Sequence, residues 1–232
     1  LKANPEIVLA TRAYGWFKEN PNELCDTVRH LTDDTLFQPG ADAIKFFFRR
    51  VGVISGFIVN AEKAKKLSSD LFDGRLYYQM YLAGMLMAEG QGYYFSDVMT
   101  LSRDTEAPDF GNAGTEKGVF TPGGYKPEGR IHMVEGLLLI AKYIEDTTKI
   151  DGVYAGIRKD LANYFYPYIR DQLDLPLYTY IKMINKFRKM GFSNEKLFYV
   201  HAFLGYVLKR RGYDALIKYI RSKKGGTPRL GI

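Results

Sequence analysis

The apolar and polar positions of this chain follow two regimes. Over residues 1–102, short β-branched and aromatic runs alternate with short helical patterns, whereas over 128–223 only the helical period is present. EIVLATRA at 6–13 predicts a strand, because the run is short, apolar and rich in β-branched residues. ADAIKFFFRR at 41–50 predicts a helix directly after the punctuation of Pro39 and Gly40. VGVISGFIV at 51–59 has a strand composition interrupted by Gly52 and Gly56, which predicts a strand bending into a loop. AEKAKKL at 61–67 predicts a short helix. RLYYQMYLAGMLMAE at 75–89 is apolar nearly all round and predicts a deeply buried helix. GQG at 90–92 ends it, and YYFSDVMTLS predicts a further strand.

The second regime opens with Pro127 at a first helical position. Ile131, Val134, Leu138, Ile140, Ala141 and Ile144 then keep helical spacing. DGVYAGIRKDLANYFYPYIRDQL continues it, with Pro167 as the expected kink. PLYTYIKMINKFRKMG runs from Pro176 to Gly191. SNEKLFYVHAFLGYVLKRRG takes Ser193 or Asn194 as its cap and Gly212 as its stop, and YDALIKYIRSKKGG supplies the last helix. The expected fold class is α/β, a mixed sheet with helices, followed by an all-α region.

Between the regimes lies RDTEAPDFGNAGTEKGVFTPGGYKPEGR, residues 103–130. It holds six glycines and three prolines, yet also Phe110, Phe120 and Tyr125. Long segments without a structural period are usually lids, binding loops or linkers, and a linker would be more uniformly polar. The expected organisation is an α/β region over 1–102, a lid loop over 103–127, a helical region over 128–224 and a tail over 225–232.

Charge sharpens this division. Residues 1–125 carry 13 Lys/Arg against 16 Asp/Glu, a net of −3; residues 126–224 carry 19 against 10, a net of +9. Such asymmetry points to regions with different partners. KFRK at 186–189, KRR at 209–211 and RSKK at 221–224 alternate with Tyr, Phe and Leu. Helices of that kind lie on anionic membrane surfaces or present a solvated face on a bundle. No nucleic-acid-binding motif accompanies them, so nucleic acid is not an expected partner. Cys25 is the sole cysteine, which rules out an intramolecular disulfide and fits a reducing, cytoplasmic setting. No signal-peptide pattern follows Leu1, and no run of about 18 apolar residues occurs.

Candidate chemistry is sparse. GNAGTEKG at 111–118 lacks the Lys-Ser/Thr pair of a phosphate loop, because Lys117 is followed by Gly118. His30, His132 and His201 lie far apart, and with one cysteine they form no familiar zinc site. Asp33 and Asp34 read as an exposed polar turn or a carboxylate pair for a metal. Asp73 stands just before the buried helix, where it serves either as a cap or as a base for a substrate hydroxyl. Ser55 and Gly56 allow a close backbone approach to a ligand, or mark a bulge. Arg103, at the mouth of the loop, fits a phosphate or a surface ion pair.

FFRRVGVISGFIVN, FDGRLYYQMYLAGMLMAEGQGYYFSDVMTLSRD and FGNAGTEKGVFTPG, in that order, resemble the acceptor-side half of bacterial family 2 glycosyltransferases of the GT-A type. The resemblance covers about residues 5–130, and the helical region is similar to C-terminal extensions of some members. It implies transfer of a sugar from a nucleotide-sugar donor to a saccharide or lipid-linked acceptor in bacterial surface polysaccharide synthesis, in the cytoplasm and peripherally on the inner face of the cell membrane. Asp73 would be catalytic; Ser55, Gly56, Arg75, Tyr78, Gln79 and Arg103 would contact substrate. The acidic pair that supplies the base in the family is not intact here, where the matching zone reads GRLYYQMY. The resemblance also implies a divalent metal, Mg or Mn. Its ligands, together with the nucleotide-binding half, are expected upstream of Leu1 and absent from these residues.

Overall fold

Strand β1 (Ile7–Phe17) is buried along nearly its whole length and organises everything around it. The computed structural model describes residues 4–103 and 126–223. On one edge of β1, β5 (Gln91–Arg103) runs parallel, paired from Ile7 with Gln91 to Phe17 with Arg103. The other edge is shared. β2 (Leu24–Val28) pairs antiparallel with Tyr14–Phe17, and β4 (Ile58–Val59) pairs antiparallel with Leu9 and Ala10. β3 (Thr35–Phe37) completes the sheet antiparallel to the start of β5.

A parallel pair cannot be closed by a hairpin and needs a long crossover. Here that crossover carries α1 (Ala41–Arg50), α2 (Ala61–Lys66) and α3 (Tyr78–Glu89). In α1, Ala43, Ile44, Phe47 and Phe48 share the buried face. The Gly40 N–H donates to Met87 O at 2.9 Å, which ties the start of α1 to the end of α3. α3 is buried on nearly every side, as its all-apolar pattern requires. It starts at Tyr78 rather than Arg75, because Tyr77 takes a left-handed conformation (φ 72°) that helix geometry does not admit.

The helical region comprises α4 (Pro127–Thr148), α5 (Val153–Asn163), α6 (Tyr166–Ile169), α7 (Leu177–Lys189) and α8 (Lys196–Lys223). One cluster of buried apolar side chains runs from Val8 to Ile217, so both regimes share a core. Arg49 and Arg50 of α1 reach Asp160 of α5 at 2.9 and 3.3 Å across the same junction. The broad expectation of a mixed α/β region followed by helices therefore holds.

Three local expectations change. β2 and β3 are additional strands, and of the 51–59 run only Ile58–Val59 pairs. Pro167 does not kink one helix. The chain leaves α5 at Tyr164, and Pro167 sits in the opening turn of α6, where its missing N–H is no loss. α8 passes straight through Gly212 and breaks instead at Lys209 (φ 57°, ψ 177°). There the Lys209 Nζ donates to Leu173 O at 3.1 Å and lies 3.5 Å from the Tyr206 ring centroid, which holds the break in place. Beyond it, Asp214 accepts hydrogen bonds from Arg170 at 2.7 and 2.9 Å and from the Tyr166 hydroxyl. No helix among the described residues is long and apolar enough to cross a membrane.

Gly92 marks a tight join of sheet and helix. A Cβ there would stand 2.5 Å from the Phe47 ring and 2.5 Å from Met87 Sδ. Gly92→Ala is expected to lower the unfolding free energy by about 1–3 kcal/mol, by overpacking against a rigid ring. Urea titration checks this, and an unchanged midpoint would mean that Phe47 is not seated on β5.

Candidate functional site

The turn that leads into α3 is pinned from inside. Phe72 is buried, Asp73 N–H donates to Asp70 O at 2.9 Å, and Arg75 N–H donates to Phe72 O at 3.0 Å. This leaves the Asp73 side chain exposed, with no hydrogen bond or ion pair to any described residue. Two positions on, Arg75 turns back toward α4. Its Nη1 lies 3.0 Å from His132 Nδ1 and donates to Glu135 Oε2 at 3.0 Å. His132 Nε2 lies 3.3 Å from Gly74 O. These contacts are mutually consistent for a neutral imidazole that donates from Nε2 and accepts at Nδ1. His132 and Glu135 are three residues apart on α4, which places both on the face that meets Arg75. The result is a half-exposed Arg–His–Glu cluster, with the exposed Asp73 carboxylate two residues before Arg75 in the chain.

Tyr78 and Gln79 begin α3 and hold neighbouring turns. The Tyr78 hydroxyl accepts from Ser69 N–H at 3.0 Å, and Gln79 Nε2 donates to Gly52 O at 3.3 Å. Gln79 thus anchors the loop that carries Ser55 and Gly56. Ser55 is exposed. Gly56 does bring backbone close to a neighbour, but the neighbour is a side chain of the sheet. At φ 75°, a Cβ on Gly56 would stand 2.4 Å from Arg12 Nε and 2.3 Å from Thr100 Oγ1. Arg103 lies at the far end of β5, where its Nε donates to Lys18 O at 3.1 Å.

Arg12 and Glu135 were not singled out from the sequence, and His132 was weighed only as a metal ligand. Arg12 left a signal, as the lone charge within IVLATRAYGWF. Its side chain is almost fully buried, with 2% of the residue exposed. Nε donates to Thr100 Oγ1 at 3.1 Å, and the guanidinium lies 4.8 Å from the Tyr14 ring centroid. Nη1 and Nη2 are buried and have no hydrogen-bond partner among the described residues. Burial pulls the Arg12 pKa below its ordinary value, and the nearby Tyr14 and Tyr94 oppose that shift.

Next to Arg12, β5 carries extra residues and the β1–β5 register shifts. Ser96, freed there from the ladder, is satisfied by side chains. Asp34 Oδ1 accepts from its N–H and its hydroxyl, both at 2.8 Å, and Arg29 Nε donates to its carbonyl at 2.9 Å. These bonds to Ser96 hold the Asp34 carboxyl below its usual range. Asp34 therefore latches a bulge.

Among the described residues, no group of three or more His, Cys, Asp or Glu could hold a metal ion. The core of the expected lid, residues 104–125 with the 111–118 segment, lies outside the described residues. No protein-family model, curated protein or solved structure matches the chain.

Arg75→Lys keeps the charge but loses the fork that serves His132 and Glu135 together. A loss of about 0.5–1.5 kcal/mol in unfolding free energy is expected, modest because the cluster is half-exposed. Equal stability of the two proteins in urea would mean that the cluster does not form in solution.

Proposed function

We propose that this chain is a portion of a glycosyltransferase that moves a sugar from a nucleotide-sugar donor to a saccharide or lipid-linked acceptor, in the synthesis of bacterial surface polysaccharide. The observation that carries this reading is the open Asp73 carboxylate, on a pinned turn ahead of a buried helix and two residues from the Arg75–His132–Glu135 cluster. A general base needs a lone pair that the substrate hydroxyl can reach within hydrogen-bond distance, which an unpaired carboxylate offers. In the proposed step, Asp73 takes the proton of an acceptor hydroxyl. The hydroxyl oxygen attacks the anomeric carbon, forming the new glycosidic bond, and the bond from that carbon to the nucleoside diphosphate breaks. The diphosphate leaves with the bonding pair. Ser55, Gly56, Arg75, Tyr78, Gln79 and Arg103 are the proposed substrate contacts, in a cytoplasmic enzyme seated on the inner face of the cell membrane.

In the intact protein, Asp73→Asn is expected to lower sugar transfer by about 10²–10⁴-fold while the unfolding midpoint stays unchanged. Release of labelled sugar from nucleotide-sugar donors into acceptor is the measurement. Transfer at the original rate would remove Asp73 from the chemistry.

A second reading is favoured by the outer faces of α7 and α8. Tyr178 is 79% and Phe203 67% exposed, and Leu177, Ile181 and Val207 are also largely open. Tyr178, Ile181, Lys182, Asn185, Lys186 and Lys189 line an open groove of about 370 Å³ on α7. Large apolar tips flanked by lysines suit an anionic membrane, where rings enter the interface and ammonium groups meet phosphates. This surface would either seat the enzyme or work as a docking module without catalysis. Co-sedimentation with phosphatidylglycerol vesicles is expected at low salt, with loss at high salt, with neutral vesicles and in Tyr178→Glu/Phe203→Glu. Binding to neutral vesicles alone would count against it.

A further inference from the structure

We infer that Arg12 forms the base of an oxyanion-binding site, closed by the short loop that carries Gly56. The free edge of its guanidinium would grip two oxygens of one phosphate or carboxylate group. Three observations converge on this. First, Nε is already committed to Thr100 Oγ1 at 3.1 Å, and the Tyr14 ring flanks the group at 4.8 Å, so the fork is fixed in place. Second, the unpartnered atoms are Nη1 and Nη2. Together they present parallel N–H groups at the spacing of two oxygens on one oxyanion, the geometry that makes bidentate recognition strong. Third, the cover is thin. Gly56 is exposed and packs on Arg12 with no side chain of its own, since a Cβ on it would stand 2.4 Å from Arg12 Nε.

The surroundings agree in sign. Arg49 and Arg50 both reach Asp160, whereas no carboxylate among the described residues reaches Arg12. Asp34 is held by Ser96 and Tyr93. Desolvation, then Arg50, Arg49 and Arg12, push the His30 imidazole down. Arg50, Arg49 and Arg12 thus all act on His30 as positive charges, after burial as the largest cause. The site shares the Gly56 loop with the proposed substrate contacts, but neither Asp73 nor the Arg75 cluster takes part, so anion binding at Arg12 is read without sugar transfer.

Trp16 is the sole tryptophan, and its ring lies 4.9 Å from Tyr14, so it reports on Arg12 through one intervening ring. Inorganic phosphate and acetate are titrated in parallel into the protein at constant ionic strength, with chloride as the balancing anion and Trp16 fluorescence as the readout. A saturable change is expected, together with a rise in melting temperature that chloride does not reproduce. The stronger of the two anions identifies a phosphoryl or a carboxylate ligand. Arg12→Gln, folded by circular dichroism, is expected to lose the response. Should Arg12→Gln not fold, Arg12→Lys decides, with binding roughly tenfold weaker once the fork is lost. No saturable change with either anion, or equal affinity in the Arg12 variant, overturns the site and assigns Arg12 a packing role.

Discussion

The parallel pairing of β1 with β5 is the constraint on which the rest of the structure depends. Two parallel neighbours far apart in sequence force everything between them to pass over the sheet, and α1 to α3 are what that passage contains. Because β1 is covered on both sides, each polar group on it must find a partner inside the protein or be left without one. Where the β1–β5 ladder slips, Ser96 leaves it, and Asp34 and Arg29 supply the missing bonds. The slip falls immediately after Arg12. One backbone irregularity therefore both calls for the Asp34 latch and adjoins the buried guanidinium.

α3 transmits this arrangement to the helical region. It is apolar all round because it serves two clients, with the sheet and α1 on one side and α4 on the other. A helix so enclosed cannot rotate or slide without opening a cavity, so the turn before it is fixed too. That turn carries Asp73 outward and Arg75 toward His132 and Glu135. The rigidity of the candidate site is thus a consequence of core packing rather than of the polar contacts, which are half-exposed and individually weak.

Legibility in the sequence followed locality. α1 was readable to its residue limits because Pro39 and Gly40 punctuate its start and its apolar face has helical spacing. β5 and the burial of α3 were readable from composition alone. The start of α3 was displaced because Tyr77 adopts a backbone conformation its residue type does not advertise. β2 and β3 read LCDTV and TLF, too short and too polar to stand out, and they exist as strands only because β1 and β5 offer open edges. The Lys209 break was hidden because Gly212 offered a more obvious stop, while the contacts that fix the break lie on Leu173 and Tyr206. In the candidate site, the Asp73 turn was visible, but the partners of Arg75 lie 57 and 60 residues away and no local pattern connects them.

Arg12 shows why magnitude, and not the presence of contacts, decides what a buried residue implies. Removing a guanidinium from water costs several kcal/mol even after relaxation. Stacking on Tyr14 returns about 2 kcal/mol at best, and the bond to Thr100 about 1 kcal/mol. These two contacts leave a deficit that neither a third neutral hydrogen bond nor a shift in protonation removes, since arginine stays charged. A fold that kept Arg12 only for packing would gain from methionine or leucine at this position, in a strand otherwise free of charge. A group of opposite charge closes the deficit, and the open edge of the guanidinium fixes where that group must sit.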